Sequence, residues 1–277
     1  MWSEHRFLSF DKTAMFYRRL AAPTKPRAVV LIVHGMGEHG GRYVEFAEYL
    51  SSRGFVCYLP DLRGFGKSGG KRGCVRHFEE YFCDLESVRR AIISREGPLG
   101  LFLLGHSYGG LIAAHYLEAH PEPPVRGMIL SSPNFGIAIH VPAWRHVLGA
   151  VGSAFFPDLT QPNRVDPTTL THDVEHLKKH EDDPLIHDRI SARLYTELVA
   201  RLSTSKDIAS RISIPSLVLQ AGEDHVVSRK ATEGFFESLA SADKTLTVFE
   251  GLYHEILNET SRQDIFSRIG DWLSKRA

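Results

Sequence analysis

Apolar and polar positions alternate over residues 5–18 with a break at Asp11-Lys12, a pattern that predicts an opening hairpin. Residues 23–27 interrupt it. Residues 28–33 then form a continuous, β-branched-rich apolar run, as expected of a strand buried on both faces of a mostly parallel sheet. Over residues 42–52 the apolar positions Tyr43, Phe46, Ala47 and Leu50 recur at helical spacing, Gly54 stops the helix, and residues 55–59 read as the next strand. A helix is expected over 77–95, a strand over 101–104, a helix over 111–119 and a strand over 125–130. Strand alternating with helix in this way is the order of a doubly wound parallel sheet.

After Ser131-Ser132-Pro133 the alternation stops. Residues 135–207 are richer in His, Pro and Asp and show helical pieces but no strand signal. Strand and helix resume over 215–221, 228–239, 246–249 and 261–275. The chain therefore divides into an α/β core, 1–134 and 208–277, and a helical cap insertion, 135–207, landing beside the strand ends.

Candidate chemistry enters at Gly105-His106-Ser107-Tyr108-Gly109-Gly110, between the apolar run Leu101-Phe102-Leu103-Leu104 and the helix-forming Leu111-Ile112-Ala113-Ala114. Strand, Gly-x-Ser-x-Gly, helix is the context of a nucleophile elbow, with the serine hydroxyl exposed at a tight turn. A serine needs a base oriented by a carboxylate, and on such a sheet the two follow in the order acid, then histidine, each after a later strand. Asp224 and His254 fill these slots. Glu223 and Glu250 compete for the acid role, and His225 fits the base role worse because it sits beside the acid. A tetrahedral oxyanion needs two amide donors: Tyr108, after the nucleophile, and Met36, in the earlier loop opened by His34-Gly35 and freed by Gly37.

Other motifs fare less well. Gly64-Phe65-Gly66-Lys67-Ser68-Gly69 matches G-x-G-x-x-G but opens no helix directly, and Gly66-Lys67-Ser68 has Asp61 where a phosphate-binding loop needs its first glycine, so a structural turn is expected. His172, His176 and His180 fall at i, i+4 and i+8, yet H-E-x-x-H is absent and serine chemistry needs neither metal nor other cofactor. Lys plus Arg and Asp plus Glu both total 33, which argues against a nucleic-acid partner. The 3 cysteines, Cys57, Cys74 and Cys83, form no C-x-x-C pair and read as free thiols of a reducing compartment. With no run near ~18 apolar residues, a cytoplasmic protein is expected, at most peripheral at membranes.

The chain resembles the α/β-hydrolase superfamily and, within it, monoacylglycerol lipases and lysophospholipases. His34-Gly35-Met36-Gly37-Glu38-His39-Gly40-Gly41-Arg42-Tyr43 is similar to their oxyanion-loop signature, and the likeness continues through Asp61-Leu62-Arg63-Gly64, the elbow, Asp183-Pro184-Leu185 and Tyr253-His254-Glu255-Ile256-Leu257-Asn258-Glu259. The resemblance implies a mostly parallel central sheet with helices on both faces. It also implies a single-chain lipid ester as substrate, with Gly35, Glu38 and Arg42 near its polar headgroup; a salt bridge bracing the loop is the other reading of Glu38 and Arg42. The family's usual elbow carries methionine where Tyr108 stands, which bears on acyl or headgroup preference. In the cap, Ile137, Ile139, Val141, Trp144, Val147, Leu148, Val151 and Phe155 recur at roughly helical spacing. Such a stripe ordinarily packs on the core. Above a serine site it has a second use, with Ile137, Ile139 and Trp144 lining an acyl tunnel and a lip in transient contact with membranes.

Overall fold

The computed structural model describes residues 1–121, 125–138 and 143–277. The opening alternation forms β1 (Trp2–Leu8) and β2 (Ala14–Leu20), antiparallel across a turn in which Lys12 takes φ +66°. Then come β3 (Ala28–Val33), α1 (Val44–Ser52), β4 (Phe55–Asp61), α2 (Glu79–Glu96), β5 (Leu101–His106), α3 (Tyr108–Ala119) and β6 (Val125–Ser131). The chain leaves the sheet for α4 (Ala143–Phe155), β7 (Thr160–Pro162), α5 (Val174–Asp182), β8 (Arg189–Ser191) and α6 (Ala192–Ala209). It returns with β9 (Ser216–Ala221), α7 (Arg229–Ser238), β10 (Lys244–Phe249) and α8 (Arg262–Ser274).

Among the described residues one eight-stranded sheet runs in the order β1-β2-β4-β3-β5-β6-β9-β10, with β2 antiparallel to both its neighbours, β1 and β4, and the other pairings parallel. The apolar runs of β3, β5 and β9 are buried along their whole length, because α1 and α8 cover one face while α2, α3, α6 and α7 cover the other. Parallel strands deliver β3, β5, β6, β9 and β10 to one edge at their carboxyl ends. That edge is where loops can meet.

One pair of strands departs from the sequence pattern, and one expected turn is present. β7 and β8 pair antiparallel inside the segment where no strand was expected. Each is 3 residues long, too short for period-2 alternation to register. The Gly64–Gly69 stretch is a turn folded around Asp61, whose Oδ1 accepts from Arg18 Nη1 at 3.0 Å and the Gly40 N–H at 2.9 Å and whose Oδ2 accepts from the Lys67 N–H at 2.7 Å.

The excursion between β6 and β9 is held unevenly. Leu194, Leu198 and Ile208 of α6 join the same core as α3. The segment before β8 is stitched to the sheet's loops: the His187 N–H donates to Gly37 O at 2.9 Å, His187 Nε2–H to Gly64 O at 3.0 Å, and His39 Nε2 meets Asp183 Oδ2 at 2.8 Å. Helix α4 packs on α6 and presents Trp144, Val147, Leu148, Val151 and Phe155 outward at 57, 63, 60, 51 and 74% exposure. The stripe therefore does not seal against the core as its spacing first suggested. Spacing establishes that a face is apolar but not what it meets.

Candidate active site

At the end of β5 the chain must turn into α3 through a single connecting residue, and Ser107 carries that turn at φ +51°, ψ −118°. This left-handed conformation costs a serine about 1–3 kcal/mol and persists only where its surroundings hold it. They do so by hydrogen bonds: the Ser107 N–H donates to Ser131 O at 3.0 Å, and Ser107 O accepts from Gly110, Leu111 and Asn134 at 2.9, 3.2 and 2.9 Å. The flanking glycines are required by space. A Cβ on Gly105 would lie 2.4 Å from Gly109 O, and one on Gly109 would lie 2.2 Å from Val33 O.

Two later strand ends face this turn. Beyond β9, Asp224 Oδ1 accepts from the Val226 and Val227 N–H groups, both at 2.9 Å, while Oδ2 accepts from Gln220 Nε2 at 3.2 Å and from His254 Nδ1 at 2.8 Å. Because the carboxylate only accepts, the His254 hydrogen sits on Nδ1, leaving Nε2 as the basic nitrogen. Both side chains are buried. Burial pushes the Asp224 carboxyl up, but His254 and the two amides outweigh it and hold it below its usual range. Burial pulls His254 down, and Asp224, with further negative charge from Glu255 and Glu38, leaves it above an ordinary histidine. The rings of His254 and His106 lie tilted by 48° to one another with centroids 4.9 Å apart. His106 stays neutral: burial and the neighbouring His254 lower it to about 4, and its Nδ1–H donates to Ser131 O at 3.0 Å. Among the described residues the Ser107 hydroxyl has no hydrogen-bond partner, so the link from serine to histidine stands open, as such links often do before substrate arrives.

The loop after β3 closes the site. His34 fixes it internally, donating from Nδ1 to Gly35 O at 2.7 Å and accepting the Leu62 N–H on Nε2 at 2.8 Å. A Cβ on Gly35 would touch Ser107 Cβ at 3.4 Å and His106 Cδ2 at 3.3 Å, so the loop lies directly against the elbow. Among the described residues neither the Met36 nor the Tyr108 N–H is taken by a protein acceptor.

Glu38 and Arg42, expected near a headgroup, are engaged with each other and with a residue the sequence reading passed over. Arg42 Nη1 donates to Glu38 Oε2 at 2.9 Å, and Arg42 reaches both oxygens of Glu255 at 2.6 Å. Glu38 Oε1 also accepts the Gly35 N–H at 2.6 Å and the Tyr43 hydroxyl at 2.7 Å, and Glu255 accepts from Asn258 Nδ2 at 2.9 Å. All are buried or nearly so. The bracing reading of Glu38 and Arg42 thus has partners on both sides. An acidic residue directly after the candidate base, inside Tyr253-His254-Glu255-Ile256-Leu257, was the available signal for Glu255.

The remaining candidates are dispersed. Ile137 bridges Val227 in antiparallel fashion and so abuts the acid's loop. Ile139 and Val141 lie outside the described residues, and Trp144 is on the outward side of α4. The Tyr108 side chain, expected to bear on substrate choice, is fully buried between Phe78 and Tyr81, edge-on to both rings. It follows the first turn of α3 inward because the elbow presents only the serine at its apex. His172 pairs with Glu259 at 2.8 Å and stacks on Tyr253.

Residues 24–261 match the family model described as serine aminopeptidase, S33. The chain belongs to this family. The chain is 33% identical over 244 residues to the phospholipase YtpA of Bacillus subtilis, covering 87% of this chain and 93% of that one. It superposes on the crystal structure of Paleococcus ferrophilus monoacylglycerol lipase with TM-score 0.86 at 32% identity, covering 95% of this chain and 99% of that one. A third relative, an uncharacterized abhydrolase domain-containing protein of Dictyostelium discoideum, is 30% identical over 275 residues, and there the chain spans only 29% of the relative's length. The family member described here is an α/β-hydrolase, an ester hydrolase resembling monoacylglycerol lipase. Among the described residues no helix is long and apolar enough to cross a membrane.

Proposed function

We propose that this ester hydrolase cleaves single-chain lipid esters, with monoacylglycerol as the preferred class, through an acyl-enzyme on Ser107. The observation that carries the reading is the buried Asp224–His254 pair, 2.8 Å apart, at the strand edge where the strained Ser107 turns. In this reading Ser107 Oγ attacks the ester carbonyl while His254 Nε2 takes its proton, and the Met36 and Tyr108 amides hold the resulting oxyanion. Collapse of the tetrahedral adduct expels the alcohol, which leaves with the proton from His254. Water, deprotonated in turn by His254, then releases the fatty acid and restores the serine.

Residues 135–207 serve as a cap, with α4 as its lip. An apolar helix face left outward on a protein whose relatives include a phospholipase and a monoacylglycerol lipase suits a substrate that resides in a bilayer. The phospholipase relative keeps lysophospholipid as the second reading. Peptide cleavage, which the family description names, finds less support: Glu38 and Glu255, the carboxylates that with Asp224 act on His254, are already occupied by Arg42 rather than open to a substrate amine.

Turnover of monooleoylglycerol, lysophosphatidylcholine, a short nitrophenyl ester and an amino-acid anilide, measured side by side, tests the substrate. Monooleoylglycerol is expected to lead; dominance of the short ester or of the anilide defeats the reading. Fluorophosphonate labelling lost in Ser107→Ala tests the nucleophile. Labelling that survives there would point to a different serine, and its absence in the parent would favour a non-catalytic receptor.

A further inference from the structure

Two carboxylates, Glu38 and Glu255, share the single guanidinium of Arg42, so this buried cluster carries one negative charge more than it neutralises. Its surplus is spread over neutral donors, the Gly35 N–H, the Tyr43 hydroxyl and the Asn258 amide. The three charged residues come from opposite ends of the chain. Glu38 holds the backbone of the oxyanion loop, and Glu255 is the next residue after His254, with its own N–H donating to Leu170 O of the excursion at 2.7 Å.

We infer that Glu255 is a positioning residue for His254: through Arg42 and Glu38 it ties the base's loop to the oxyanion loop, and it faces the imidazole with the cluster's unneutralised charge. The inference rests on the roles of Ser107 and His254 proposed above. When His254 accepts the serine proton, its new positive charge meets a surplus that is already oriented, so no dipole has to turn at that moment. Asp224 from the β9 loop, Glu38 from the β3 loop and Glu255 from its own loop bring negative charge towards His254, the His106 ring of β5 lies with its centroid 4.9 Å away, and Arg42 offsets part of the charge of Glu38 and Glu255. His106 does not intercept the proton, being held neutral by burial and by His254 itself. His180 of α5, which also faces Arg42, is pushed down by burial and by that arginine and brings no positive charge.

The experiment is a pH profile of single-turnover acylation by a short nitrophenyl ester, with fluorophosphonate labelling as control. Activity needs neutral His254, so Glu255→Gln should shift the acid limb to lower pH by roughly half a unit or more and reduce the plateau about ten-fold, with KM nearly unchanged. Glu255→Asp, which keeps the charge but loses the bidentate grip, should lower the plateau while restoring the parent limb. If Glu255→Gln does not fold, Glu38→Gln decides, since it removes the same surplus charge and must move the limb in the same direction. An unmoved limb in the folded carboxamide variant overturns the inference. Full labelling in Ser107→Ala would instead overturn the reading on which it rests, so the two failures are distinguishable.

Discussion

The elbow and helix α4 are both short apolar stretches that place glycines at a close approach, yet one is sealed and the other lies open. At the elbow, a Cβ on Gly109 would run into Val33 O at 2.2 Å and His34 O at 2.5 Å, backbone atoms fixed in the centre of the sheet. On α4, a Cβ on Gly149 would meet the Tyr195 ring at 2.8 Å, and one on Gly152 would meet Ala192 Cβ at 3.3 Å, both belonging to a single neighbouring helix. Rigid backbone surrounds the first; movable side chains line one side of the second. In the function proposed above, chemistry that tolerates no misplacement sits where nothing can give, and access to it is left to an element bounded by movable side chains.

If that division holds, damage to the sealed region must strike every ester alike. Asp224→Asn removes the acceptor that fixes the His254 tautomer, and a loss of about 10⁴-fold in kcat is expected for short and long esters equally. The parent's activity should fall as pH drops through a value above the ordinary histidine range, because Asp224 holds His254 up; residual activity of the variant should titrate at lower pH. A loss confined to lipid substrates would dissolve the contrast.

The glycines allow a sharper version. Gly109→Ala is expected to destabilise the fold by about 3 kcal/mol or abolish it, since neither carbonyl can retreat. Gly149→Ala should stay within about 1 kcal/mol of the parent, the helix propensity gained by alanine offsetting a small movement of the Tyr195 ring. Urea midpoints of the two variants test this, and equal effects would mean that α4 is as tightly set as the elbow.

On the open side the effect should depend on where the substrate is. Leu148→Ser and Phe155→Ser each remove an outward apolar side chain worth about 1.5–3 kcal/mol when buried, so turnover of monooleoylglycerol in vesicles should fall about ten-fold. Turnover of a short soluble ester should stay within about two-fold, because both side chains lie largely in solvent, 60 and 74% exposed. Loss of both activities together would place α4 in the active site rather than at its entrance.

The same contrast explains which parts of the molecule could be read in advance. Buried parallel strands announce themselves as unbroken apolar runs, so β3, β5 and β9 were legible together with the loops after them, where Ser107 and Asp224 stand; His254 stands in the loop after β10, a half-buried strand of which residues 246–249 were read. Nothing in a helical stripe says whether another element will cover it, so the outward face of α4 was not. β7 and β8 were too short to show a period. Glu255 escaped notice for a different reason: its meaning lies in a pairing with Arg42, 213 residues away, which no local pattern encodes.

Tyr108 tests the boundary between the two regions most gently. By sequence it neighbours the proposed nucleophile at a position where the family resemblance implies methionine, and that invites a role in substrate choice. By structure it belongs wholly to the sealed side, edge-on to Phe78 and Tyr81, its hydroxyl facing that of Tyr81 and accepting or donating to no other group among the described residues. Burial and the Tyr81 hydroxyl raise its ionisation well above the ordinary tyrosine range, so it contributes no basic limb to the pH profile. In the proposed mechanism only its backbone N–H serves the oxyanion, and that group survives any side-chain replacement. Tyr108→Phe should therefore leave kcat/KM for each ester within about two-fold and leave stability unchanged or higher by up to about 1 kcal/mol, since the hydroxyl it removes makes little or no net hydrogen bond. A change of headgroup selectivity in this variant, with the fold intact, would move Tyr108 from the core's account to the substrate's and redraw the line between the region that performs the chemistry and the region that admits the ester.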